Sequence, residues 1–178
     1  MIREFAFGLA NRHHFYPSEK ANSFDFTANN TFISLYSYDK YVVEFYKNVQ
    51  SLSGFDGKIY MPSEFILDVD GESVDIAKDK TLNLLKLLKE LSVPYNIYFS
   101  GRGFHVGIPD SAFKWKPCQD LHLKVKDELT KQGIFEFADA SVTDKTRIIR
   151  LNNTLNTKSR LWKVPMRELE LMRMPGLE

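Results

Sequence analysis

The stretch Phe65-Ile66-Leu67-Asp68-Val69-Asp70 decides how the rest of this chain is read. Side chains of a strand alternate faces, so Phe65, Leu67 and Val69 suit a core while Ile66, Asp68 and Asp70 share the opposite face. The two carboxylates then stand roughly 6.6 Å apart, from a rise of ~3.3 Å per residue, close enough for both to approach one cluster of divalent cations. Aspartates on an apolar strand are costly unless cations or hydrogen-bond donors compensate them. Hard oxygen ligands of this kind suit Mg²⁺ or Mn²⁺. Taken alone, D-x-D fits an edge strand with one wet face equally well, so the neighbouring sequence has to decide.

Beyond Asp70, Gly71 turns the chain and Ser73 is placed to cap a helix. Ala77, Thr81, Leu84, Leu85, Leu88 and Leu91 form its apolar stripe, and Pro94 stops it. Residues 96–99 and 104–108 read as two strands of a hairpin joined by Ser100-Gly101-Arg102-Gly103. A second helix is expected over 117–133, with Leu121, Val125 and Leu129 at four-residue spacing. The alternation in IFEFAD predicts a strand over 134–139 that ends on Asp139, and 147–151 and 161–164 read as two more strands around a polar loop, 152–160.

Towards the N-terminus, 3–9 is expected as a strand, 11–30 mainly as loop and 31–38 as a second strand. Asp39 can cap a helix through about Leu52, with Val42, Phe45, Tyr46 and Val49 on one face. Adjacent His13 and His14 point different ways and make a poor chelate, while Cys118 and His122 suit structural roles. Strands and helices interleave, which predicts an α/β or α+β fold in one domain over residues 1–178.

With 43% hydrophobic and 26% charged residues the composition is that of a soluble globular protein. The single Cys118 excludes an internal disulfide and a multi-cysteine zinc site. No apolar run approaches the ~20 residues that cross a bilayer, and Met-Ile-Arg-Glu-Phe has no signal-peptide pattern, so an intracellular protein without a membrane partner is expected. Net charge is only +1, but its distribution is uneven. Residues 64–79 carry six acids against Lys78, and residues 144–167 carry seven bases against Asp144. An acidic pocket facing a basic strip suits a polyanionic substrate handled through metal ions. The strip Lys145 to Arg167 is expected to grip nucleic acid; Lys158, Arg160 and Lys163 would line a second nucleotide site only if one lay within the core.

The hairpin block Ser100-Gly101-Arg102-Gly103-Phe104-His105 supplies a hydroxyl, free backbone N–H groups, a guanidinium and an imidazole within six residues. Glycines let the backbone approach an anion closely, and arginine donates charged hydrogen bonds to phosphate oxygens. The block is neither a Walker A loop nor a dinucleotide fingerprint.

The three blocks FILDVD, SGRGFH and FADASVTDKTRIIRLNNTLNTKSRLWKVPM resemble, in order and in kind, the three catalytic motifs of the archaeo-eukaryotic primase superfamily. REFAF and the stretch from Arg12 to SLYSYDK are similar to the opening of the cellular primase small subunit. The resemblance implies that Asp68, Asp70 and Asp139 are catalytic and hold two Mg²⁺ or Mn²⁺ ions. It assigns Ser100, Arg102 and His105 to the phosphates of an incoming nucleotide, with Arg150, Asn156 and Lys158 beside them. Arg147 could replace Arg150, because alternation sends the two to opposite faces of one strand and the sequence does not say which points inward. Three departures stand out: the hairpin block has one residue fewer than the cellular pattern, Asn156 stands where many relatives have histidine, and the cysteine-rich zinc element is absent. The short span between His105 and Asp139 looks like a compact core of the kind associated with mobile elements.

The implied fold is an RRM-like catalytic sheet beside a small α/β lobe. The implied function is a DNA-templated nucleotidyltransferase, a primase or primase-polymerase. Its partners would be a DNA template and primer, NTP or dNTP substrates, and a helicase or accessory primase domain. A metal-dependent nuclease would use the same carboxylates without needing the Ser100-Arg102-His105 grip. An RRM-like nucleic-acid-binding module would need exposed aromatics in place of aspartates on its sheet.

Overall fold

The computed structural model describes residues 1–22 and 30–175, so the loop expected over 23–29 lies outside the described residues. In chain order the elements are β1 (Ile2–Phe7), β2 (His14–Pro17), β3 (Thr31–Ser34), β4 (Ser37–Tyr38), α1 (Tyr41–Val49), β5 (Ile59–Tyr60), β6 (Glu64–Val69), α2 (Val74–Glu90), β7 (Asn96–Phe99), β8 (Phe104–Pro109), α3 (Leu121–Lys131), β9 (Ile148–Arg150), β10 (Leu155–Asn156), β11 (Leu161–Trp162), β12 (Val164–Met166) and α4 (Glu168–Arg173). The fold is α+β, as expected.

The carboxylate strand lies at the edge of a four-stranded antiparallel sheet with the order β12-β7-β8-β6. The helix α2 carries the chain from β6 over β8 to β7, a split β-α-β unit. Register puts Phe65, Leu67 and Val69 opposite Ile108, Val106 and Phe104, and all six are buried on the face that packs on α2. Burial of each such side chain is worth roughly 1.5–3 kcal/mol, so this face holds the sheet in place. The helix answers with Ala77, Thr81, Leu84, Leu85 and Leu88, and Ser73 caps it by accepting a hydrogen bond from the Ile76 N–H. Thr81 is tolerated in the core because its hydroxyl donates to the Ala77 carbonyl at 2.7 Å. Leu91, expected on the stripe, is the exposed C-cap. The other sheet face brings Asp68 opposite His105 and His105 opposite Tyr98.

A second sheet follows the path β5-β4-β1-β3-β9, with β2 also pairing β1. The stretch expected as one strand over 31–38 is interrupted at Leu35 and Tyr36, where the register on β1 shifts by two residues. Ser34 accommodates the shift, its hydroxyl taking the Glu4 N–H and donating to the Tyr36 carbonyl. Apolar packing runs through both sheets, for example where Tyr36 of the second meets Phe65 of the first with ring centroids 5.9 Å apart.

Five further expectations are corrected. The 11–30 loop contains β2, and the 152–160 loop contains β10. The helix expected from 117 begins at Leu121, since Cys118 is held in an isolated bridge to Ile59. IFEFAD is not a strand: Gly133, at φ +73°, leads the chain into a 3₁₀ turn over Ile134–Glu136, and the segment reaches the edge of β6 through the Asp139 N–H bond to the Asp68 carbonyl. The strand expected over 161–164 divides into β11, which pairs β10, and β12, which pairs β7.

Candidate active site

Asp68 sits on β6 with its carboxylate almost wholly buried, so its charge needs partners. Its Oδ1 lies 3.4 Å from His105 Nε2 and its Oδ2 lies 3.2 Å from an Arg147 guanidinium nitrogen. Burial pushes its pKa up, but His105 and Arg147 outweigh burial and hold it below the ordinary carboxylate value. Asp139 is brought to the same place by the backbone, its N–H donating to the Asp68 carbonyl at 2.9 Å on the free edge of β6. Its carboxylate caps the 3₁₀ turn Ala140–Thr143 through Ser141, and the same Arg147 nitrogen that meets Asp68 lies 3.4 Å away. One cationic nitrogen therefore stands between the Asp68 and Asp139 side chains.

Asp70 follows the end of β6. Burial, then the charge of Asp68, raise its pKa, with Asp139 adding to the effect and Arg102 opposing it. Asp70 therefore feels a negative cluster that its surroundings only partly neutralise. Among the described residues no three His, Cys, Asp or Glu side chains are gathered tightly enough to hold a metal ion. Asp68 and Asp139 converge on Arg147, and Asp70 stands at the lip of the same cleft.

The hairpin turn is placed against both neighbours of the cleft. Ser100 and Gly103 exchange backbone contacts, the Ser100 hydroxyl accepts the Gly103 N–H at 3.2 Å, and Gly101 adopts φ +96°. A Cβ on Gly103 would lie 2.5 Å from Asp70 Oδ1 and 2.6 Å from the Val69 carbonyl. The turn thus rests on the end of the carboxylate strand. Gly103→Ala is expected to destabilise the protein by about 1–3 kcal/mol, because the backbone carbonyl cannot yield as a flexible side chain would. Urea unfolding checks this, and an unchanged midpoint would contradict the contact.

His105 is buried, and burial, then Lys163, lower its pKa to about 4 despite the pull of Asp68. Its Nδ1 is buried with no hydrogen-bond partner. Arg102 is exposed over the cleft and makes no hydrogen bond among the described residues. Arg150 lies 4.7 Å over the Phe32 ring and donates to Asn30 Oδ1 at 3.0 Å. Arg147 and Arg150 do not part to opposite faces as alternation suggests: β9 begins only at Ile148, and both residues line the cleft. Asn156 accepts the Lys158 N–H at 3.0 Å and is buried against the hairpin turn.

These residues open into one cavity of about 630 Å³ between the two sheets, lined among others by Asp68, Asp70, Ser100, Arg102, His105, Arg147, Arg150 and Asn156. Lys158 lines an adjoining hollow of about 400 Å³ with Phe32, Arg102 and Arg150. The volume is in the range of small-molecule sites. Asp68 and Asp70 come from the first sheet and Arg150 from the second, with Arg102 and His105 on the hairpin beside the carboxylates and Arg147 just before β9.

Sequence reasoning missed Phe32 and Arg12, which line the cavity, and Ser141, which holds Asp139. Arg12 follows a glycine-containing turn that folds it back onto the fully buried Glu4, eight residues earlier, at 2.9 Å, a pairing that side-chain periodicity does not announce. Lys163, part of the basic strip, points inward: it is fully buried, donates to the Arg150 carbonyl at 2.8 Å and lies 5.1 Å over the Tyr98 ring. Burial lowers its pKa from 10.5 to about 7. The folded chain therefore binds fewer protons than the unfolded one between these values, and stability from this group rises with pH across that window and is lowest below pH 7. Relative to Lys163→Met, the unmodified protein is expected to gain melting temperature between pH 7 and pH 10; a difference independent of pH would contradict the assignment.

No family model and no curated protein matches this sequence. Among solved structures, the chain is similar to the polymerase domain of Mycobacterium tuberculosis Ligase D in complex with DNA, with a TM-score of 0.53 and 11% identity. The match covers 85% of this chain and 57% of that one, so the chain spans little more than half of the neighbour. At this identity the likeness concerns the fold.

Proposed function

We propose that this chain is a DNA-templated nucleotidyltransferase, a primase or primase-polymerase that joins nucleoside triphosphates to a primer on a template strand. The observation that carries this reading is one cleft in which Asp68 and Asp70, at the end of β6, share a lining with Arg102, His105, Arg147 and Arg150 beside the β7–β8 turn. The DNA-bound polymerase domain with a similar fold supports the choice of substrate class.

Mg²⁺ or Mn²⁺ fits the donor set, since the oxygens are hard carboxylates and a guanidinium nitrogen already lies between two of them. Asp68, Asp70 and Asp139 would hold such ions on drawing closer together, and the ions would supply Lewis-acid stabilisation. The remaining work belongs to the protein. Arg102, Arg150 and Lys158 neutralise phosphate charge from fixed positions, which is most effective in a cleft that excludes bulk water. The Ser100 hydroxyl accepts from Gly103 and keeps its own proton to donate. His105 already turns Nε2 to Asp68, so a phosphate oxygen at the free Nδ1 favours the doubly protonated ring, one N–H for each anion. Asn156 fixes the Lys158 turn against the hairpin.

Extension and initiation make different demands. A primer duplex can rest on the basic strip, whereas starting a chain requires two free nucleotides to be ordered together. This chain is expected to extend a supplied primer readily and to begin one poorly unless a helicase-linked or accessory primase domain assists. Primer extension and dinucleotide formation, measured on one template at one metal and salt concentration, test this. Equal rates would overturn the expectation, and absence of extension with either NTPs or dNTPs would overturn the function.

A further inference from the structure

The strands β10 and β11 form a ribbon that pairs with neither large sheet. Leu155 stands opposite Trp162, and Asn156 opposite Leu161. Paired residues share a face, so Trp162 points away from the face on which Asn156 packs against the hairpin turn. The buried Lys163 turns inward, and its neighbours Trp162 and Val164 are left 46% and 39% exposed. An exposed tryptophan is a large apolar surface to leave in water.

Its charge setting is one-sided. Lys158 and Arg160, both exposed in the turn of the ribbon, pair with no acid among the described residues. The sequence holds no Asp or Glu between Asp144 and Glu168. The ribbon also touches the cleft: a Cβ on Gly101 would lie 2.8 Å from Ser159 Oγ and 3.1 Å from Asn156 Cβ. The ribbon is thus a wall of the cleft on one side, where Lys158 lines the adjoining hollow, and an aromatic surface on the other, with the cations of its turn at the rim between them.

We propose that the outer face of this ribbon, centred on Trp162, is a stacking platform for a single-stranded nucleic acid, the template strand beyond the primer end. The assignment of that strand as template rests on the polymerase reading. A flat ring beside unpaired cations matches a strand whose bases are unstacked and whose phosphates need neutralising, and every base offers a π-face to such a ring. A duplex hides its base faces and gains nothing from Trp162, while an acidic protein would use the cations but not the ring.

Binding of a fluorescein-labelled dT oligonucleotide to the intact chain, without metal or nucleotide, tests the platform by anisotropy. Trp162→Ala is expected to weaken binding about five- to 150-fold, and Trp162→Phe to retain most of the affinity, because a ring is what the base needs. Arg160→Gln is expected to shallow the dependence of log affinity on log salt by about 0.7, the contribution of one phosphate contact. Sedimentation of each variant guards against a different use of the face. If Trp162→Ala leaves oligonucleotide affinity unchanged while the chain still extends primers, the platform is wrong and the polymerase reading stands. If that variant instead converts a dimer to a monomer with unchanged affinity, the face is a contact between copies and the proposal falls. If the unmodified chain neither binds the oligonucleotide nor extends a primer, both readings fall together.

Discussion

Asp70→Asn is expected to lower nucleotidyl transfer by roughly 10³-fold, the equivalent of about 4 kcal/mol of transition-state stabilisation, while leaving the fold intact. The side chain stands at the lip of the cleft, where burial and the charges of Asp68 and Asp139 already resist its ionisation. An acid whose folded pKa is raised weakens the fold as pH climbs through and above the ordinary carboxylate range. Asparagine removes that penalty. In metal-free buffer the variant should therefore melt no lower than the unmodified protein at pH 7, and the advantage should disappear below about pH 4. Ordinary transfer by Asp70→Asn at saturating Mg²⁺, or a fall in its melting temperature at neutral pH, would contradict the role given to Asp70.

Arg102→Ala and His105→Ala are expected to raise the nucleoside triphosphate concentration needed for half-maximal rate by about 10- to 100-fold each, on the basis that charged hydrogen bonds are worth roughly 1.5–3 kcal/mol. Template affinity should change far less, since these groups are proposed to touch phosphates that only the nucleotide carries. The two variants differ in an instructive way. Arg102 is exposed and makes no hydrogen bond among the described residues, so its loss should cost little stability. His105 fills a buried position beside Asp68, and its removal leaves that carboxylate short of one partner. Separate titrations of nucleotide and of labelled template distinguish the outcomes. Equal loss of template affinity with normal nucleotide binding would make the hairpin a DNA contact.

The elements that read correctly from sequence are those whose pattern matches a single physical demand. FILDVD buries one face under α2, and the α2 stripe supplies the matching face. The hairpin over β7 and β8 is fixed by its glycine turn. IFEFAD misled because alternation states only that side chains could face two ways; it cannot supply a neighbouring strand, and Gly133 sends the chain elsewhere. Strands β2 and β10 lie in polar stretches and exist through pairing with β1 and β11, which local propensity does not encode. The same limit applies to the site. That Asp68, Asp70, Ser100, Arg102 and His105 come together was legible, since they line one cleft, but the contest between Arg147 and Arg150 was not, because it turns on where β9 begins. Lys163 was misplaced for a related reason: a lysine in a basic run reads as surface, and only the packed structure shows it inside.

The most direct measurement follows a 5′-labelled primer on a DNA template while pyrophosphate is counted in the same reaction, with Mg²⁺ or Mn²⁺ and either NTPs or dNTPs. The expected result is one pyrophosphate released for each nucleotide added, dependent on template and divalent metal and absent in Asp70→Asn. Shortening of the primer or template without pyrophosphate would identify a nuclease instead, and pyrophosphate release independent of template would contradict a templated transferase.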